Sequence, residues 1–172
     1  FYRPEKAVLG DMIPFYDHGE FKPFYLRNYR CNRDATHRDG WVMLTTKDHV
    51  HFTEHDTHIV GGTGSVLVDG MYHMFYCTFQ QSPDRNYIEH ATSPDLDQWT
   101  TIAEDRFCSD DNIYAPVHWR DPFVFWVEEE KCWWMLVCTQ EKGVTARQGC
   151  VGLCTSDDLH HWTCQQPIYA PH

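Results

Sequence analysis

The chain has 172 residues and a mass of 20.4 kDa, room for one domain with a sizeable core and too little for a comfortable pair. Fourteen Lys and Arg against 25 Asp and Glu give a formal charge of -11, which argues against electrostatic binding of nucleic acid or an anionic membrane; a neutral or cationic ligand fits better. Aromatics at 15%, with ten Gly and nine Pro, favour short strands and tight turns over long helices, and no apolar run approaches the 18 residues of a membrane span.

In chain order, strands are expected at about 12–16, 24–29 and 41–46, with Asp17-His18-Gly19 as a turn between the first two. A second group follows at about 65–68, 71–79 and 87–92, where Asp69-Gly70 is a strong hairpin signal. A third lies at about 123–127, 133–139 and 150–155, with Glu128-Glu129-Glu130 as a solvated turn. Each group ends alike: Thr46-Lys47-Asp48 before Phe52, Ser93-Pro94-Asp95 before Trp99, and Ser156-Asp157-Asp158 before Trp162. The aromatic follows the Asp by four residues in all three copies. The Asp is expected to order a turn through its own backbone, and the aromatic to be buried between neighbouring sheets.

Three units of short antiparallel strands with one closing signature read as propeller blades, at about 8–58, 59–110 and 111–172. The expected fold is all-β, a β-propeller. Rings of this kind use roughly four to eight blades, so three blades read as part of a larger ring.

Eight cysteines occur at 31, 77, 108, 132, 138, 150, 154 and 164, several inside apolar runs where a thiol serves as a small buried hydrophobe. They read as reduced and the chain as cytoplasmic. A secreted form with a disulfide framework is the alternative, because the first residue is Phe1 and a removed leader would not be visible. Metal binding is not expected: His49, His51, His55 and His58 flank a surface loop, and no Cys-x-x-Cys pair exists. Gly61-Gly62-Thr63-Gly64 lacks the Lys and helix start of a phosphate loop, so no nucleotide or other cofactor is implied.

Gly10-Asp11 in the first unit, Thr63-Gly64-Ser65 opening the second and His118-Trp119-Arg120-Asp121-Pro122-Phe123 opening the third resemble the five-bladed propeller of glycoside hydrolase family 32, the β-fructosidases. The resemblance covers nearly the whole chain, and Arg-Asp-Pro at a strand start is its most specific part. It implies a retaining hydrolase of sucrose, fructan or a related oligosaccharide, in which a carboxylate attacks the sugar and water then releases it. By the same resemblance Asp11 is the nucleophile and Asp121 the transition-state stabiliser. Arg120, Thr63, Ser65 and Trp119 are the implied substrate contacts.

The chain departs from the family pattern in three places. Met12-Ile13-Pro14 follows Asp11 in place of the usual Pro-Asn-Gly, Leu26 stands where a Gln is usual, and the Glu-Cys pair that carries the family's acid/base is missing from these residues. Glu130-Lys131-Cys132 lies at the wrong place in the repeat. The expectation is therefore an inactive fragment of an active enzyme. The alternatives are an arabinanase- or xylosidase-like propeller and a non-catalytic sugar-binding propeller, with Trp41, Trp119 or Tyr114 stacking on the sugar.

Overall fold

The computed structural model describes residues 2–5, 7–28, 40–79, 85–144 and 148–171. Three four-stranded antiparallel sheets account for nearly all regular structure. The first contains β1 (Leu9–Ile13), β4 (Phe24–Arg27), β5 (Gly40–Thr45) and β6 (Thr53–Asp56), in that spatial order, with a small hairpin of β2 (Tyr16–Asp17) and β3 (Glu20–Phe21) inserted after β1. The second runs β7 (Gly64–Asp69), β8 (Met71–Phe79), β9 (Asn86–Ser93) and β10 (Thr100–Thr101), and the third β11 (Arg120–Val127), β12 (Cys132–Thr139), β13 (Cys150–Ser156) and β14 (Thr163–Cys164). The one helical element among the described residues is a 3-10 turn at Ala103–Asp105.

Strand alternation explains why the sheets stack. Along β4, Phe24 and Leu26 face the second sheet while Tyr25 turns to the opposite face; along β8, Met74 and Tyr76 face back and Phe75 faces the third sheet. One apolar cluster, with Trp41, Phe24 and Met74, thus fills the gap between sheets one and two, and another, with Trp119, Tyr114 and Met135, fills the gap between sheets two and three. Full burial of side chains of this size contributes about 1.5–3 kcal/mol each.

The repeated signature folds the same way three times. The Oδ1 atoms of Asp48, Asp95 and Asp158 each accept two backbone N–H bonds from the residues two and three positions on, at 2.8–2.9 Å. The residue after each Asp, His49, Leu96 or Leu159, is left-handed at φ 57°, 70° and 66°. Those paired amides hold Asp95 below the usual carboxylate range and Asp48 and Asp158 well below it.

The closing aromatics are half-buried where full burial was expected. Their placement is still at the seams: Trp99 meets Phe24 of the first sheet edge-on at 6.4 Å, and Trp162 meets Phe75 of the second at 5.6 Å. The indole N–H of each bonds back to the carbonyl of Leu96 or Leu159, which keeps one ring edge near the surface. Phe52 packs on Tyr2 at 5.3 Å, on the far face of the first sheet.

One expectation on strands is corrected. The first strand begins at Leu9 and stops before Pro14, so its centre lies three residues earlier than the apolar run suggested. The outermost strands β6, β10 and β14 are short and mostly exposed, and give no alternation to read. The cysteines at 77, 108, 132, 138, 150, 154 and 164 are free thiols, while Cys31 and the end of the expected 24–29 strand lie outside the described residues.

Candidate active site

The first strand of the second sheet, β7, packs against the first strands of both its neighbours, β1 and β11. Asp11, Ser65, Arg120 and Asp121 lie on these three strands, with Thr63 and Trp119 immediately before the second and third. Pairing of β1 with β4 slips between Gly10 and Met12, leaving Asp11 as a bulge; pairing of β11 with β12 slips between Arg120 and Phe123, leaving Asp121 and Pro122. Asp121 adopts φ 57°, a left-handed conformation rare in a strand, and Pro122 has no N–H to give to a ladder. A bulge re-aims its side chain out of the alternating pattern, and here it does so for both aspartates.

A run of contacts connects the two positions. The Thr63 hydroxyl donates to Asp11 Oδ2 at 2.5 Å. The Thr63 carbonyl accepts the N–H of Cys77 at 3.2 Å, and the Cys77 carbonyl accepts that of Gly62 at 2.7 Å. The close approach needs Gly64, where a Cβ would collide with the carbonyl oxygen of Phe75. Burial pushes the Cys77 thiol up to about 11, against the opposing pull of the Asp121 backbone N–H that faces it. Desolvation, followed by the Asp121 carboxylate, holds the Cys138 thiol above its ordinary value. Arg120 Nε stands 3.7 Å from Asp121 Oδ2, with both side chains about two-fifths exposed.

The remaining expected contacts lie deeper. Ser65 is buried, and its Oγ accepts the Val124 N–H at 3.1 Å, tying β7 to β11. Trp119 is fully buried, with its ring against Phe107 and Tyr114 at 5.6 and 5.4 Å. Trp41 and Tyr114, the other candidates for stacking on a sugar, are fully buried too. Leu26 lies in the core between the first two sheets.

Neither nearby glutamate adds to the constellation. Buried Glu89, on the third strand of its sheet, takes Arg106 Nε at 2.8 Å and Nη2 at 2.6 Å. Glu130 is exposed on the turn before β12 and accepts from Trp134 Nε1 at 3.1 Å.

Of the four clustered histidines, His51 pairs with Asp48, His58 with Asp56 and His55 with Thr45. Among the described residues, the one group of His, Cys, Asp or Glu arranged to hold a metal lies elsewhere, at His90, Asp105 and His160. Sequence spacing offered no route to it, because its members are 15 and 55 residues apart.

Residues 106–171 match the family model described as the glycosyl hydrolases family 32 N-terminal domain. No curated protein matches the chain. Among solved structures, fructan 1-exohydrolase IIa from Cichorium intybus aligns at TM-score 0.75 and 20% identity over 98% of this chain and 34% of its own. The Bombyx mori GH32 β-fructofuranosidase aligns at 0.72 and 19% over 94% and 35%, and sucrose-6-phosphate hydrolase from Lactobacillus gasseri at 0.70 and 19% over 94% and 34%. The chain spans about a third of the length of the solved structures it matches. The β-propeller type of fold is thus shared along nearly the whole chain, and the family that the motifs resemble, glycoside hydrolase family 32, is the one that both comparisons return.

Proposed function

We propose that the three sheets are three consecutive blades of a five-bladed propeller, and that they carry the fructosyl-binding part of a retaining β-fructosidase active site. The observation that carries this reading is the pair of bulged aspartates on the first strands of sheets one and three, with Thr63 at the entry to the strand between them. Asp11 is the nucleophile, aimed by the Thr63 hydroxyl. Attack of a carboxylate oxygen on the anomeric carbon breaks the glycosidic bond and forms a glycosyl-enzyme ester, which water opens with net retention.

Asp121, ionised beside Arg120, stabilises the positive charge that develops on the sugar ring. The left-handed backbone at Asp121 favours this assignment, because strain of this kind gathers where a side chain must be held in one direction. Ser65 and Trp119 support the loop that carries Arg120 and Asp121 rather than touching sugar. The exposed side chain of Phe123, which packs with Phe125 on the face of the third sheet opposite Val124, suits a further blade packing there.

With Glu89 committed to Arg106 and Glu130 on an outer turn, neither of these glutamates is placed to protonate the leaving oxygen. General acid catalysis contributes typically 100- to 10,000-fold. The solved relatives include one complexed with 1-kestose and one complexed with sucrose, and substrates of that class are the ones to try.

The test is to assay sucrose, inulin and levan with the chain and with any longer gene product that carries it. Hydrolysis is expected from the longer product, with loss of at least about 10,000-fold in kcat on Asp11→Asn, as for other essential nucleophiles. Activity that survives Asp11→Asn overturns the nucleophile, and robust turnover by the chain alone overturns the missing acid.

A further inference from the structure

Between sheets two and three a polar chain runs beside the apolar cluster of the seam. The Asp69 carbonyl oxygen lies 3.3 Å from His73 Nε2, His73 Nδ1 lies 2.9 Å from His90 Nε2, and His90 Nδ1 lies 2.6 Å from Asp105 Oδ2. The same Asp105 oxygen receives His160 Nδ1, from the third sheet, at 2.7 Å. His73 and His90 are 5% and 1% exposed, and their rings stack at 5.1 Å.

Proton counting exposes a deficit. A carbonyl oxygen at one end and a carboxylate at the other can only accept, so the three links from Asp69 through His73 and His90 to Asp105 need three protons. Two imidazoles in their neutral form carry two. If His73 donates to Asp69 and His90 donates to His73, then His90 Nδ1 presents a bare lone pair to a carboxylate oxygen. One positive charge is missing at the point where His90, Asp105 and His160 converge.

We propose that His90 Nδ1, Asp105 Oδ2 and His160 Nδ1 bind a divalent transition-metal ion of the zinc type. These three atoms lie within 4.8 Å of one another, and two imidazole nitrogens with one carboxylate oxygen make a donor set suited to Zn²⁺. The ion takes the lone pairs that the hydrogen-bond chain cannot satisfy. The Asp69 carbonyl can only accept and so calls for a proton on His73 Nε2; the ion then requires the His90 tautomer whose Nε2–H donates to His73 Nδ1. His90 comes from β9, Asp105 from the 3-10 turn after β10, and His160 from the turn between β13 and β14, so the ion ties the second sheet to the third. The half-exposed His160 leaves a side open for entry and for a fourth ligand.

The experiment uses the 172-residue chain stripped with chelator and titrated with Zn²⁺ by calorimetry, with Co²⁺ absorption as an independent readout of the site. One equivalent should bind. At a free Zn²⁺ of one hundred times the dissociation constant, the folded-to-unfolded ratio should rise about 100-fold, read as a higher Tm.

His160→Ala lies on an exposed turn and should fold normally by circular dichroism, yet lose both the thermal response and the Co²⁺ visible band. His161→Ala, its exposed neighbour paired only with Asp158, should keep both. His73→Gln should weaken binding by about 10- to 100-fold through the ring it orients. No Zn²⁺ response in the parent chain overturns the proposal. So does binding that survives His160→Ala, which assigns the metal to the surface histidines near Asp48.

Discussion

The two seams between sheets solve one geometric problem with different chemistry. Between sheets one and two the filling is apolar, with Trp41, Phe24, Leu26, Met43 and Met74 in one cluster and the Trp41 indole N–H satisfied by the Gly62 carbonyl at 3.0 Å. Between sheets two and three, a comparable apolar cluster shares the seam with His73, His90 and Asp105. Sheet stacking at a fixed spacing therefore demands volume and satisfied polar atoms, and leaves the chemistry free. The first seam keeps its polar contacts at the margin of the cluster, Tyr72 donating to Asp17 at 3.0 Å and Thr63 to Asp11 at 2.5 Å, whereas the second brings imidazole nitrogens and a carboxylate together beside its cluster.

The largest expected effect lies in the apolar seam. Trp41→Ala removes a fully buried indole and should cost about 3–5 kcal/mol in urea unfolding, with no dependence on added metal. A loss under about 1 kcal/mol would mean that the first sheet contributes little to the cooperative unit.

Next come the two half-buried wedges. Trp99→Ala and Trp162→Ala should each cost about 2–3 kcal/mol, below the value for a fully buried ring, and should agree within about 1 kcal/mol because each rests on the equivalent Phe of the preceding sheet. A large inequality would show that the seams differ in packing as well as in polarity.

Smaller again is the coupling within the polar seam. His90→Leu alone leaves His73 Nδ1 buried without its partner and should cost about 1–3 kcal/mol from that orphaned group, measured with chelator present. Adding His73→Leu should recover part of the loss. Strict additivity in this double-mutant cycle would show that the two rings do not depend on one another.

The smallest effect is on acid stability. Asp48, Asp95 and Asp158 accept backbone amides when folded, so their folded pKa values lie below the unfolded value of about 3.9. The stability they supply is complete above that value and is lost as pH falls through the folded pKa. Thermal melts from pH 6 to pH 2 should show the parent losing Tm below about pH 4, and Asp95→Asn losing less over the same range. Identical slopes would remove these turns from the acid response.

How much was legible follows from the range of each interaction. The β8 strand was readable to the residue as Met71–Phe79, because a turn at Asp69-Gly70 precedes a nine-residue run rich in aromatics. The three Asp turns were readable because the bonds that form them reach two and three residues along the chain. The candidate site was legible as motif residues but not as a shape. Nothing in Gly10-Asp11-Met12 announces a bulge, since a bulge exists only relative to the partner strand. Trp119 was expected to contact sugar, whereas it is fully buried with Phe107 and Tyr114 against its ring.

The amino-acid sequence alone thus determined the all-β class, the three-unit repeat, the turns that close each unit and the positions of Asp11 and Asp121 in their motifs, because each depends on neighbours within a few residues. Tertiary structure decided which face each aspartate presents, which aromatics are covered and which polar groups meet. The polar link of His90, Asp105 and His160 is the clearest case. His90 and Asp105 both belong to the second unit, and His160, 55 residues beyond Asp105, meets them only when the second sheet packs on the third.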